Sequence, residues 1–600
     1  MYKKIIITSI FLFGSLSQLR AQFVTQEMKA RPADYEYLSA PDSLGVRNQL
    51  LMPNVSNKNV LATQNLPYPI IFIHGLNSNE LIWGNTSETN LMYNFFQSQN
   101  LTFGGRFDFN LNYDNNNTIS NKFVWNASTP NADIAFYTSS AVAADYYFVN
   151  FDVGSNGAVH PGGLFSTDVL SNQSAIAKQG IALKIVIQQV MSITGRDKVI
   201  LMGHSMGGLA AREYLQNPEN WKEPYINHHV AKLVTTGTPH GGSNSTAPFL
   251  VTLYNGLNNR SEAMRDLKKT YSNSNANGVF LFGGYEFNFI MDDGSNLYYN
   301  VDVNCNGSSG DLITGLNNKS FNNNIDYAYI IGICGTCTLS PGFIDGDGVV
   351  PIFSSNFSNF NTNILSPKNE FNYEASSSIQ IHTDLPKQIF QNMQGLDEPN
   401  HYALSYGIHF NKIYKGFITQ QPVGGYTVDY DDYIFTMPYN GTFSISGTNS
   451  FSNNLPFQIL DSSYNIIYSN TILPFSTNSF SLILTSGQYY LEFFATPTNT
   501  SYQYPYNFIL SSVLSSETFD SNISLNIHPN PTNSKVFFDN TNSNFNDVVI
   551  YNYLGQEVGK SRFLKSVNNQ EIDLTSFAPG IYVLRFSNQG SYQSVKIIKQ

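Results

Sequence analysis

The feature that most narrows the fold is a four-residue apolar run, Val199-Ile200-Leu201-Met202. It passes through Gly203-His204-Ser205-Met206-Gly207-Gly208 into a helix-period segment at residues 209–215. An uncharged run of that kind predicts a strand buried on both faces, as in parallel sheets covered by helices. The glycines flanking Ser205 predict a sharp turn with the serine at its tip, because they let backbones pass close to one another. Three more runs behave similarly. Pro69-Ile70-Ile71-Phe72-Ile73 ends in His74-Gly75-Leu76, and residues 233–237 lead to Thr238-Pro239-His240-Gly241-Gly242. Residues 327–333 precede a loop containing Asp345-Gly346-Asp347-Gly348, and a helical pattern over residues 173–193 precedes the Ser205 strand. Strands alternating with helices predict an α/β region, a doubly wound and mostly parallel sheet, over residues 61–417.

Six hundred residues exceed what one core usually organises, so further domains are expected. Beyond residue 420 the rhythm changes to short alternating strands broken by Gly, Pro, Asn and Ser, which predicts two small all-β sandwich modules at 426–514 and 523–600. The first residues read as a signal peptide: Lys3 and Lys4, a mostly apolar stretch from Ile5 to Phe13, and Ala21 at the cleavage point. Residues 22–60 are then an N-terminal extension. The apolar stretch is too short to span a bilayer, and no later one is long enough, so no membrane span is expected after signal cleavage. A net charge of -11 argues against nucleic acid as a partner, since affinity for phosphates comes mainly from Lys and Arg. Only Cys305, Cys334 and Cys337 are present, which excludes a disulfide framework. Cys334-Gly335-Thr336-Cys337 has zinc or redox spacing but no second ligand pair, and a local disulfide or free thiols is the preferred reading.

Gly203-His204-Ser205-Met206-Gly207 has the pattern of a nucleophile elbow, in which a strand-to-helix turn exposes a serine hydroxyl. A serine needs a histidine to take its proton and an acid to orient that histidine. On this scaffold the chain order is serine, acid, histidine. Asp347 is the preferred acid because it directly precedes Gly348-Val349-Val350-Pro351, with Asp345 as its rival. Three histidines follow in the same region, His382, His401 and His409. His382 is preferred, between a strand-like Ser378-Ile379-Gln380-Ile381 and a helical pattern over residues 385–393. His409 lies in an apolar run that suits a buried structural histidine. The helix start places the Met206 N–H where negative charge is favoured, and Leu76 after His74-Gly75 offers a second oxyanion donor.

Residues 70–76, 203–208, 237–241 and 347–351 together resemble the lipase and esterase branch of the α/β-hydrolases, and within it bacterial lipases and the GPI inositol-deacylase-like lipases. The resemblance spans about 350 residues and implies a serine hydrolase cleaving carboxylic esters, lipid esters included. It carries nucleophile, acid, base and oxyanion positions onto Ser205, Asp347, His382, and Leu76 with Met206. It implies no cofactor. The alternatives are amide hydrolysis or acyl transfer on the same triad, or a non-catalytic surface adhesion protein.

Between Ser243 and Ile325 no family pattern is recognised, and a cap insertion is expected over about 244–325. Its Phe280, Phe282, Tyr285, Phe287 and Phe289 read equally as an acyl-pocket lining or a core strand. Asp302-Val303-Asn304-Cys305-Asn306-Gly307, with Asp311 nearby, copies half of a calcium loop, and a polar turn is the preferred reading. Asp429, Asp431 and Asp432 in the first β module are a second place where structural calcium is considered. Five ordered motifs from Pro529-Asn530-Pro531-Thr532 to Lys596-Ile597-Ile598-Lys599-Gln600 resemble the type A sorting domain of the type IX secretion system. That resemblance implies passage through the type IX machinery to the cell surface or beyond.

Overall fold

Ile70–Ile73 is fully buried and lies inside a nine-stranded sheet, where each such side chain contributes about 1.5–3 kcal/mol by leaving water. The computed structural model describes residues 35–37, 64–84, 91–111, 135–138, 141–154, 157–159, 171–221, 227–243, 261–267, 278–286, 303–305, 310–334, 346–361, 370–375, 381–387, 395–419, 428–495, 504–514, 525–539, 545–552, 556–563, 569–588 and 591–600. The signal peptide, nearly all of the 22–60 extension, Cys337, Asp345, Phe287, Phe289, Asp302, Asn306 and Gly307 lie outside them.

In chain order the strands are β1 (Tyr35–Tyr37), β2 (Ile70–Ile73), β3 (Phe103–Asn110), β4 (Ala135–Thr138), β5 (Tyr146–Asn150), β6 (Val199–His204) and β7 (Val230–Thr236). A small hairpin of β8 (Gly284–Tyr285) and β9 (Leu312–Ile313) follows, then β10 (Asp326–Cys334) and β11 (Glu370–Ala375). The large sheet runs β1-β4-β3-β5-β2-β6-β7-β10-β11, and every neighbouring pair from β3 to β11 is parallel. Only β4 and β1 run antiparallel, at one edge. The protein therefore has an α/β-hydrolase-type sheet with the Ser205 turn near its middle.

The helix Ile176–Thr194 ends at Gly195 in a left-handed conformation, where the glycine N–H bonds back to Met191 O at 2.8 Å. It packs with Met206–Gln216 in one core, through Ala182, Leu183, Ala210, Ala211 and Tyr214. Its Ala175 N-cap has no side-chain acceptor, and the insertion supplies one: Glu262 accepts from Ala175 N–H at 2.8 Å and Asp266 from Ile176 N–H at 2.9 Å. Two carboxylates thus meet the positive end of the helix, and Glu262 also pairs with Lys178 at 2.8 Å.

Two local expectations are corrected. Glu370–Ala375 forms the strand at the sheet edge, residues 378–380 lie outside the described residues, and Ile381, expected to end a strand, opens a helical turn, Ile381–Asp384, that contains His382. Residues 370–375 alternate polar and apolar as an edge strand does. Residues 406–418 also do not belong with the α/β sheet. Tyr406–Gly407 pairs with Asp429–Met437, and Ile413–Ile418 pairs with Tyr504–Leu514. A short apolar run has the same period in either domain, so its sequence does not reveal its partner.

These strands belong to a sandwich. Its five-stranded sheet runs Tyr406–Gly407, Asp429–Met437, Gly487–Ala495, Leu455–Leu460, Ile466–Ile472; its four-stranded sheet runs Ile413–Ile418, Tyr504–Leu514, Gly441–Asn449, Thr477–Leu484. The strand at 413–418 ties into the α/β region: Lys415 N–H donates to Asn65 O at 2.8 Å and Arg196 donates to the Tyr414 hydroxyl at 3.2 Å.

Residues 512–600, with 438–443 and 482–486, form a second compact unit. Its three-stranded sheet (Ile527–His528, Lys535–Phe538, Gln570–Asp573) and four-stranded sheet (Glu557–Arg562, Asp547–Asn552, Gly580–Asn588, Ser591–Lys599) share a core that includes Val536, Phe538, Val548, Ile572, Leu584, Phe586 and Ile597. Among the described residues no helix is long and apolar enough to cross a membrane.

His228 supplies a test of acid stability. Its Nδ1 accepts from Val230 N–H at 3.0 Å, and burial pushes its pKa from 6.5 down to about 4. The folded value lies below the unfolded one, so the contribution is complete above pH 6.5 and is lost as pH falls through about 4. At about 1.4 kcal/mol per pKa unit the loss is on the order of 3 kcal/mol. Thermal melts between pH 7 and pH 4 should show a fall in midpoint that His228→Gln reduces; an equal fall in the variant refutes it.

Candidate active site

Ser205 sits between β6 and the helix Met206–Gln216 at φ 51° and ψ -128°. That left-handed backbone costs a non-glycine residue about 1–3 kcal/mol and persists only where its surroundings hold it. The Ser205 N–H is tied to Thr236 O on β7 at 2.9 Å. A side chain at Gly207 would place its Cβ 2.4 Å from Ile73 O, and one at Gly75 would place it 2.6 Å from Ser205 Cβ. These two glycines therefore let the end of β2 lie directly against the turn.

The segment after β2 is held by His74, which is fully buried. Its Nε2 accepts from Phe151 N–H at 2.8 Å and its Nδ1 donates to Gly75 O at 2.9 Å. These partners assign the neutral Nδ1–H tautomer. Leu76 follows and lines the cleft, while Met206 opens its helix, so the Met206 N–H is among the donors without an intrahelical acceptor.

The acid and the histidine arrive from loops beyond β10 and β11. Asp347 is fully buried; its Oδ1 accepts from Val349 N–H at 2.9 Å and Val350 N–H at 2.7 Å. Its Oδ2 lies 2.6 Å from His382 Nδ1, and His382 Nε2 lies 2.9 Å from Ser205 Oγ. The structure thus brings Ser205, His382 and Asp347 into one hydrogen-bonded chain. His204, a residue to which sequence reasoning gave no role, donates from Nε2 to His382 O at 2.7 Å and packs its ring 4.8 Å from the His382 ring. Its place inside the pentapeptide is the only signal that could have singled it out.

The other histidine candidates are elsewhere. His401 is exposed and caps the turn Tyr402–Leu404, its Nδ1 accepting from Ala403 N–H at 3.1 Å. His409 is exposed, contrary to the buried position expected of it, because the apolar neighbours on which that expectation rested point away from it in an extended segment.

Ser205 and His382 open onto a cleft of about 610 Å³, including the space open to solvent. Leu76, Ile82, Pro239, Leu267, Val349 and Val350 form its apolar wall, with Asn77, Ser78, Ser243 and Thr383 as polar points. Among the described residues no carboxylate, lysine or arginine lines it. Among the described residues, the insertion contributes Leu267 to this wall. Phe280 lies in the helical turn Val279–Phe282 and is buried with Met206, Leu209 and Leu316 beside the cleft, and Tyr285 is exposed. Two glycines, Gly283 and Gly284, take φ of 85° and 135° and end the turn, which breaks the strand period the aromatics suggested.

In the calcium-like segment, Glu286 takes the loop donors instead, accepting from Val303 N–H at 2.6 Å and Asp311 N–H at 2.9 Å. Among the described residues, the acidic group able to hold a metal ion is Asp397, Asp429 and Asp431, all buried, with carboxylate oxygens within 4.8 Å of one another. Those are hard oxygen donors of the type calcium takes. Thr419 already bonds to two of them, through its N–H to Asp429 and its hydroxyl to Asp397.

The sheet and its central serine turn define an α/β-hydrolase. Residues 67–308 match the PGAP1-like alpha/beta domain family and residues 526–600 the secretion system C-terminal sorting domain. The chain thus contains a PGAP1-like α/β-hydrolase domain and carries a type IX sorting tail, which indicates a secreted or cell-surface protein. Similar solved structures include the lin2722 gene product of Listeria innocua, with 14% identity over 55% of this chain and 91% of that one, at a TM-score of 0.28. A lipase-esterase related protein from Clostridium acetobutylicum is 12% identical over 56% and 94%, with a TM-score of 0.23. The pre-peptidase C-terminal domain of a Bacillus anthracis collagenase is 18% identical over 18% and 92%, with a TM-score of 0.15. No curated protein matches the chain.

Proposed function

We propose that this secreted hydrolase cleaves carboxylic esters through an acyl-enzyme on Ser205. The observation that carries the reading is the chain Ser205 Oγ, His382, Asp347, with contacts of 2.9 and 2.6 Å, at the floor of an apolar cleft. Ser205 Oγ attacks the ester carbonyl while His382 Nε2 takes its proton. Asp347 fixes the Nδ1–H tautomer and stabilises the imidazolium as it forms. The N–H groups of Leu76 and Met206 receive the oxyanion, where one preorganised donor is worth about 2.7–4 kcal/mol. His382 then protonates the departing alkoxide, and water, deprotonated by the same nitrogen, releases the acid. The uncharged wall favours neutral acyl groups, because an unpaired carboxylate would lose its hydration there.

An active-site fluorophosphonate should label one serine per chain, at Ser205. p-Nitrophenyl butyrate should turn over at least tenfold faster than the charged p-nitrophenyl succinate. Absence of labelling in the native protein overturns the reading.

A further inference from the structure

The segment Thr238-Pro239-His240-Gly241-Gly242-Ser243, beyond β7, has no part in the mechanism above. It is bound to the turn that carries Asp347. His240 N–H donates to Ser354 O at 2.9 Å, and the fully buried Ser354 hydroxyl accepts from Gly241 N–H at 3.0 Å and donates to Gly242 O at 2.7 Å. Ser243, 3% exposed, donates from its hydroxyl to Val349 O at 2.7 Å.

This last bond differs from the others in what it touches. Val349 O and the Val350 N–H belong to one peptide group, and that N–H donates to Asp347 Oδ1 at 2.7 Å. Hydrogen bonds therefore run without a break from the Ser243 hydroxyl through the 349–350 peptide to Asp347, on to His382 at 2.6 Å, and from His382 to Ser205 Oγ at 2.9 Å. A donor on a peptide carbonyl polarises the group and strengthens its N–H, because hydrogen bonds in a row reinforce one another. With both ends held, the peptide plane cannot turn, and the direction from which it grips Oδ1 sets where Oδ2 points.

We infer, on the ester-hydrolase reading, that Ser243 is a positioning residue for the acid of the triad, acting on Asp347 through the 349–350 peptide. Ser354 supplies the contrast. It ties the same two loops together but makes no bond to that peptide, so Ser354→Ala shows what general loosening of the loops does.

A double-mutant cycle on p-nitrophenyl butyrate tests the assignment, since residues that act through one another fail to add. Ser243→Ala should lower kcat about tenfold, the equivalent of one ordinary hydrogen bond, with KM changing less than threefold. Added to Asp347→Asn, where the carboxylate no longer faces His382, the same change should cost less than threefold. Ser354→Ala should lower the thermal midpoint and cost the same factor in both backgrounds. A loss below threefold in the native background, or of threefold or more in the Asp347→Asn background, overturns the inference. A rise in KM with kcat unchanged also overturns it, because Ser243 is then a substrate contact. Ser243→Thr and Ser243→Val compare one shape with and without the hydroxyl: the first should stay within threefold of native kcat and the second should match Ser243→Ala. Equal losses in these two overturn the inference even if Ser243→Ala does not fold. Labelling of the native protein by fluorophosphonate reports separately on Ser205, so failure of the positioning role is distinguishable from failure of the ester-hydrolase reading.

Discussion

Ser205→Ala is expected to lower kcat by about 10⁶-fold while leaving the thermal midpoint within a degree or two. The size follows from the chain it ends: without Oγ, His382 has no nucleophile to deprotonate, and loss of the nucleophile or base in such units costs about as much as losing all three members. Stability should hold because the Ser205 backbone is fixed by its N–H to Thr236 O, a bond alanine retains. Alanine also meets no new contact, being smaller than serine. Progress curves with p-nitrophenyl butyrate, read beside a melt of the same sample, check both halves. A variant that keeps more than one part in a thousand of native kcat would move the nucleophile elsewhere.

Asp347→Asn should cost about 10⁴-fold in kcat, for a reason specific to this loop. Oδ1 of Asp347 already accepts two backbone N–H bonds, from Val349 and Val350. An asparagine must keep its carbonyl there, so its NH2 group faces His382 Nδ1. That nitrogen then has to be the acceptor, and the proton moves to Nε2, the atom that should take the proton of Ser205. The imidazole is held in place but in the wrong tautomer. The loss should therefore shrink at high pH, where hydroxide can replace the base, whereas Ser205→Ala stays inactive across the range. If Asp347→Asn retains more than a tenth of native kcat, the acid lies elsewhere, and Asp345 is the next candidate.

How far the site was legible differs from residue to residue. Ser205 was legible because strand, elbow and helix are contiguous and each has its own local signature. Asp347 and His382 were reached by chain order and by elimination, and the hydrogen bonds between them depend on β10 and β11 delivering loops to the same sheet edge. His204 and Ser243 carried no signal beyond proximity to a motif, since what distinguishes them is an orientation set by His382 O and Val349 O. In the cap, Phe280 and Phe282 fall in a helical turn that Gly283 and Gly284 end, Tyr285 lies in the short strand that follows, and Phe287 and Phe289 lie outside the described residues.

The sequence by itself determined the α/β rhythm, the serine turn with its glycines, and the sorting tail, because each is written in residues that are neighbours along the chain. Only the tertiary structure decided which strand holds residues 413–418, which described insertion residue reaches the cleft, and how Ser205, Asp347 and His382 meet across separations of 142 and 35 in residue number. Period and propensity report on a few residues at a time. Contacts between distant segments are fixed only when the sheet buries them together.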